Sequence, residues 1–245
     1  MKPLATTFAL VLFTLTAIHT SPGLAQENPW TGKLPFKEGV IRCELSGAAT
    51  GESVIYIKDY GATTIKYYTE VMTYGGQSMT RKAISLITPE WNYDLDLMEK
   101  TGEKKRSFVN CIDEAFEALS PGDKAAFIKN NEKLGLGMAE GLQGYITKNA
   151  ATVLGYACDK VVNTMGMETL VFAGTNVALD YAWKAPLPEL INTTREIKVG
   201  PVDPAKFILP KDITIAHDPD FDGEIRERAQ RDIDKILKGE KPFSD

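Results

Sequence analysis

The strongest constraint on the fold is the period-2 alternation of the stretch from Glu38 to Gly61, EGVIRCELSGAATGESVIYIKDYG. Ile41, Cys43 and Leu45 alternate with Arg42, Glu44 and Ser46, as in a strand buried on one face. Ser53 to Lys58 is β-branched and aromatic, and Asp59-Tyr60-Gly61 ends it with a turn signal. The two runs predict a β-hairpin around Gly47-Ala48-Ala49-Thr50-Gly51.

The alternation continues. Thr63–Thr73 and Met79–Thr88 read as further strands, separated by a turn at Gly75-Gly76. In Trp91–Glu99, Trp91, Tyr93, Leu95 and Leu97 share one face, while Asn92, Asp94 and Asp96 share the other. Thr101-Gly102-Glu103-Lys104 reads as a polar turn. The first half is therefore expected to be a five-stranded antiparallel meander.

Helical spacing then takes over, with Ile112, Phe116 and Leu119 in the run from Asn110 to Leu119. Ser120-Pro121-Gly122-Asp123 supplies an N-cap, a proline at the first helical position and an acid three residues on. Gly135 stops that helix, which carries Phe127 and Ile128. Gly135–Gly144 reads as a Gly-rich, mobile loop. It lacks both a preceding buried parallel strand and a GK[ST] ending, so it is not read as a phosphate cradle.

Strands resume over Tyr145–Val153, Tyr156–Thr164, Glu168–Ala173, Val177–Trp183 and, beyond Pro186 and Pro188, Glu189–Val199. Val177, Leu179, Tyr181 and Trp183 repeat the aromatic-apolar stripe. The segment DPAKFILP is expected to lay Phe207 and Leu209 on the sheet. Asp222–Leu237 reads as an amphipathic helix with Ile225, Ala229, Ile233 and Ile236 on one face. The fold class expected is mainly β: an antiparallel, incomplete or open β-barrel of about ten strands, covered by a central helix and followed by a C-terminal helix.

Residues 1–25 read as a secretory signal: Lys2, a mostly apolar Phe8–Ile18, then small residues at Gly23-Leu24-Ala25. Its apolar run is too short to span a bilayer. The expectation is an exported, periplasmic protein without a transmembrane segment. Residues 26–211 form the barrel domain, with its helical insert near 110–135. Residues 212–245 form an acidic linker and the last helix. The net charge of −5 is mixed along the chain, with no basic stripe for nucleic acid.

Six segments, EGVIRCELSG, GESVIYIKDYG, LITPEWNYDLDL, VLGYACDKV, METLVFAGTNVAL and VDPAKFILP, carry a resemblance. Together the chain resembles the LolA-like lipoprotein-carrier fold, and within it a family of small exported proteins without assigned function. The resemblance implies an incomplete barrel whose concave face binds acyl chains or other apolar groups.

Several residues stand out as candidates. The apolar ligand surface is expected from Trp91, Tyr93, Leu95, Leu97, Phe116, Phe127, Leu179, Tyr181 and Trp183, if the central helix leaves a cavity. Ordinary core is the competing reading. Cys43, Cys111 and Cys158 allow one disulfide in an oxidising compartment. Any pairing is open, and Cys111–Cys158 is the one preferred here. Asp218, Asp220 and Asp222, followed by Gly223, resemble the first half of a calcium loop. However, the position for the final bidentate acid is Ala229, and acids at a helix start account for the same pattern. A Ser-His-Asp site would have to be built on His217, the single histidine after the leader. No enzyme is expected. Asp94 and Asp96 read as a solvated outer face. The functional expectation is a non-enzymatic binding protein for a lipid or acyl group. The alternative is an envelope-assembly module that grips a protein partner.

Overall fold

A computed structural model describes residues 27–74, 76–183 and 189–242. The expected leader, Gly75, Pro186 and Pro188 lie outside the described residues. Thirteen strands form one open sheet: β1 Gly39–Gly47, β2 Ala49–Lys58, β3 Thr63–Tyr74, β4 Gln77–Ile87, β5 Trp91–Asp96, β6 Thr101–Arg106, β7 Leu136–Ala139, β8 Leu142–Val153, β9 Tyr156–Asn163, β10 Glu168–Phe172, β11 Ala178–Trp183, β12 Leu190–Val199 and β13 Thr214–His217. Their spatial order is β13-β6-β5-β4-β3-β2-β1-β12-β11-β10-β9-β8-β7. Two meanders thus join where β1 pairs with β12, and every pairing is antiparallel except β13 with β6. Among the described residues three α-helices accompany the sheet: α1 Phe108–Glu117, α2 Pro121–Leu134 and α3 Pro219–Leu237.

Three strands were not expected from the sequence. Thr101–Arg106 is β6 rather than a polar turn; Gly102 accommodates its place beside β5, where a Cβ would lie 2.3 Å from Leu95 Cδ2. The supposed mobile loop after Gly135 contains β7, whose four residues are all buried, and the start of β8. β13 adds an exposed outer strand beside β6.

Local chemistry fixes the helix ends. The Ser120 hydroxyl accepts the Asp123 N–H at 3.2 Å, Pro121 opens α2, and Gly135 ends it at φ 64°. On α3, the expected apolar face is the buried one: Ala229, Ile233 and Ile236 join Trp30, Ile112, Phe116, Phe127 and Met138 in a helical core, with Ile225 packed at its side. The DPAKFILP segment makes a 3-10 turn over Pro204–Phe207, and Phe207 and Leu209 pack on Ile65, Ile84, Leu86 and Leu95. No described helix is long and apolar enough to cross a membrane.

The sheet is strongly curled. β6 and β8 are ten steps apart in the strand order, which in a flat sheet would separate them by about 48 Å. Yet α3 reaches both: Asp222 accepts the Arg106 N–H of β6 at 2.7 Å, and Asp232 accepts from Gln143 of β8 at 3.0 Å. Ten helical residues span only about 15 Å. The helices therefore hold the two halves of an unclosed sheet together. At one rim, a Cβ on Gly61, after β2, would sit 3.4 Å from Val177 Cγ2, before β11, with Leu34 against it as well.

Candidate functional site

Side-chain parity across the sheet determines which expected site residues can meet. Tyr181 pairs with Asn192, and Asn192 with Leu45. Leu45 shares a face with Cys43, which pairs with Ser53; Ser53 shares a face with Ile55, which pairs with Lys66. Lys66 pairs with Ser85, and Ser85 with Asp94. Tyr181 is therefore on the face of Asp94, opposite the face of Tyr93 and Leu95. Lys66 Nζ lies 5.7 Å from the Tyr181 ring, although β3 and β11 are four steps apart, about 19 Å if flat. Their shared face is the concave one.

The expected apolar surface is consequently divided. Leu95, with Tyr93 and Leu97, packs on the convex side under Phe207, Leu209 and Ile213. Trp91 is covered by Lys104, whose Nζ is 3.7 Å from the ring centroid, and meets His217 edge-on at 5.3 Å. Phe116 and Phe127 are wholly buried between helices, 5.3 Å apart by centroid. Leu179 packs with Ile41, Cys158 and Phe172 in another core. Trp183 is half-buried and pairs with Leu190. The two stripes do not face one another across a hollow. Alternation fixes parity within each strand, but only register relates one strand to the next.

Two further expectations are corrected. The three cysteines are free and buried; Cys111 lies in the helical core and Cys158 in the core around Phe172, so the Cys111–Cys158 bridge is not formed. The acidic stretch is a helix start rather than a calcium loop. Asp218 caps α3, accepting the N–H groups of Asp220 and Phe221 at 3.0 and 3.3 Å. Asp222 turns inward to Arg106 and to His217, 2.6 Å away, while Asp220 is exposed. Among the described residues, no group of three His, Cys, Asp or Glu side chains is placed to hold a metal. Asp94 and Asp96 are also engaged separately: Asp94 with Lys105 at 3.2 Å, and Asp96 with the N–H groups of Met98 and Glu99. Their face is the one continuous with the concave side, not an outer one.

The structure brings together a different set on the concave face. Lys66 lies between Tyr181 and Tyr68, whose ring centroid is 6.0 Å from Nζ. Tyr68 pairs with Ser53, and Ser53 with Cys43. Both phenols are pushed above their ordinary range, first by burial. Burial works to lower Lys66, but Glu140 first, then Tyr181, Cys43 and Tyr68, outweigh it and raise the group above its ordinary value. Arg81 sits 5.4 Å over the Tyr68 ring and is engaged with Glu70 at 3.3 Å and Asp96 at 3.8 Å. Below, toward the rim at Leu34 and Phe36, the concave face is filled by Ile41, Ile55 and Ile57. In the sequence, Lys66 and Tyr68 simply alternate with Ile65 and Tyr67 along β3. Their meeting with Tyr181 is a product of register and curl.

An open antiparallel sheet, curled around a cation flanked by tyrosines and clasped by a helical core, defines the class of this molecule. No protein-family model and no curated protein matches the chain. Among solved structures it is similar to the crystal structure of an uncharacterised conserved protein from Thermus thermophilus, at 10% identity and a TM-score of 0.40, covering 73% of this chain and 90% of that one. A likeness that distant carries no argument.

Proposed function

We propose that this is a non-catalytic, LolA-like periplasmic binding protein that holds an acyl-bearing ligand within its half-open barrel, on the concave face at Tyr68 and Tyr181. The observation that carries the reading is the half-buried state of both tyrosines on the inner side of a curled, unclosed sheet, while the far end of that side is filled. Aromatic rings with accessible faces offer apolar area, at roughly 25 cal/mol per Å² removed from water. The non-catalytic reading is supported by burial of all three thiols. Native mass spectrometry of protein isolated from its own periplasm, with lipid extraction, tests the proposal. A co-purified amphiphile is expected; a ligand-free chain from several preparations refutes it.

A second reading has its own observation. β13 is the outer strand of the sheet and all four of its residues are exposed. Ile215, and Phe221 at the start of α3, are exposed apolar side chains. Such an edge suits a partner that adds a strand. The same spectrum would then show a stoichiometric protein complex.

A further inference from the structure

Lys66 has no hydrogen-bond acceptor and no carboxylate at ion-pair distance among the described residues; its neighbours are the rings of Tyr68 and Tyr181. Lys66 is half-buried, and an ammonium so placed is stabilised by water or by an acid, because an unpaired charge is costly away from solvent. The groups around it lack partners too. Ser53, opposite Tyr68 in register, is 6% exposed, and its Oγ is buried without a hydrogen bond. The hydroxyls of Tyr68 and Tyr181 make no hydrogen bond to a described residue. One ammonium and three hydroxyls thus meet on the concave face, and all can donate, while the acids of that face, Glu70, Asp94 and Asp96, are engaged with Arg81, Lys105 and backbone N–H groups. The nearby cation, Arg81, is already held by two acids. Glu140 acts on Lys66 from beyond ion-pair distance.

A carboxylate is the complementary partner. It only accepts, and its two oxygens offer about four lone-pair sites. Bonds to it from an ammonium are the stronger, charge-assisted kind. A neutral ester or alcohol could accept from the same donors but would leave the charge of the ammonium unbalanced. We propose that Lys66, with Ser53, Tyr68 and Tyr181, receives the carboxylate head of a single-chain amphiphile, a deduction that rests on the acyl-ligand reading above. Ile55, which pairs with Lys66, begins the apolar floor, so a polar head at Lys66 leaves the chain to lie along the aromatic faces.

The test compares palmitate with methyl palmitate, by displacement of a fluorescent fatty-acid probe from the full chain. Wild type is expected to bind the acid at least about tenfold more tightly than the ester, a difference of about 1.4 kcal/mol. Lys66→Met should bring the acid down to the ester and leave the ester unchanged. Lys66→Arg should keep the preference, which separates loss of charge from damage to the fold. Equal wild-type affinity for acid and ester, or a preference that survives Lys66→Met, overturns the head-group assignment while leaving acyl binding intact. Binding of neither compound overturns the acyl-ligand reading itself, and this inference with it.

Discussion

Replacing Asp222 by Asn tests how the sheet is held in its curl. The carboxylate accepts the Arg106 N–H at 2.7 Å and meets His217 Nε2 at 2.6 Å, tying α3 to β6 and β13. Burial pushes its pKa up, but the bonds from His217 and Arg106 N–H and the charges of His217 and Arg226 outweigh that, so the carboxyl lies below its ordinary value. Asn keeps an acceptor for the Arg106 N–H and loses the charge toward His217. A hydrogen bond to a charged group contributes about 1.5–3 kcal/mol. For a domain of this size that is a fall in melting temperature of roughly 3–12 °C. Because the folded carboxyl is the more acidic one, its contribution is fully present above the unfolded value of about 3.9. It is lost as pH falls through the folded value. Urea denaturation in steps from pH 7 downward should therefore show a gap between wild type and Asp222→Asn that is full at neutral pH and closes in acid. A gap of the same size throughout would mean that the substitution acts through packing, and the electrostatic reasoning would be wrong.

Leu95→Ala should destabilise the chain by about 2–5 kcal/mol in urea melts without changing acyl-ligand content, because Leu95 belongs to the convex core. Tyr181→Ala should show the converse, with weaker ligand binding and a smaller loss of stability. Gly51→Ala places a Cβ 2.0 Å from the Thr69 carbonyl oxygen, so β2 and β3 must separate; a loss of about 1–3 kcal/mol by denaturation is expected. Without reductant, Ellman's reagent should find three thiols in denaturant and label them slowly in the native chain, where burial raises those of Cys111 and Cys158; a count of one in denaturant would restore a disulfide.

What the sequence made legible was local. Ser120, Pro121 and Gly135 mark both ends of α2 because capping involves neighbours within a few residues. Ala229, Ile233 and Ile236 identify the buried stripe of α3 for the same reason. The strands with apolar alternation were readable, whereas β6, β7 and β13 were not. β6 is nearly all polar and Gly, and exists because β5 offers it an edge. β7 has four residues, too few to display a period. β13 pairs in parallel with a strand more than a hundred residues earlier in the chain.

The candidate site was lost at a different step. Within β3, Lys66 and Tyr68 look like a solvent side because Ile65 and Tyr67 alternate with them. Both sides of β3 are in fact packed: Ile65 beneath the Phe207 segment, Lys66 toward Tyr181. A strand covered on two faces gives no hydrophobic cue about which face is concave. That depends on the pairing of Ile55 with Lys66 and of Cys43 with Ser53, since a slip of one residue in either register exchanges the faces. Had the β1–β2 register slipped by one residue, Tyr93 and Leu95 would share a face with Tyr181, and the two stripes could line one hollow. The observed register instead places a lysine, a serine and two tyrosines there, which makes the inner face amphipathic rather than purely apolar.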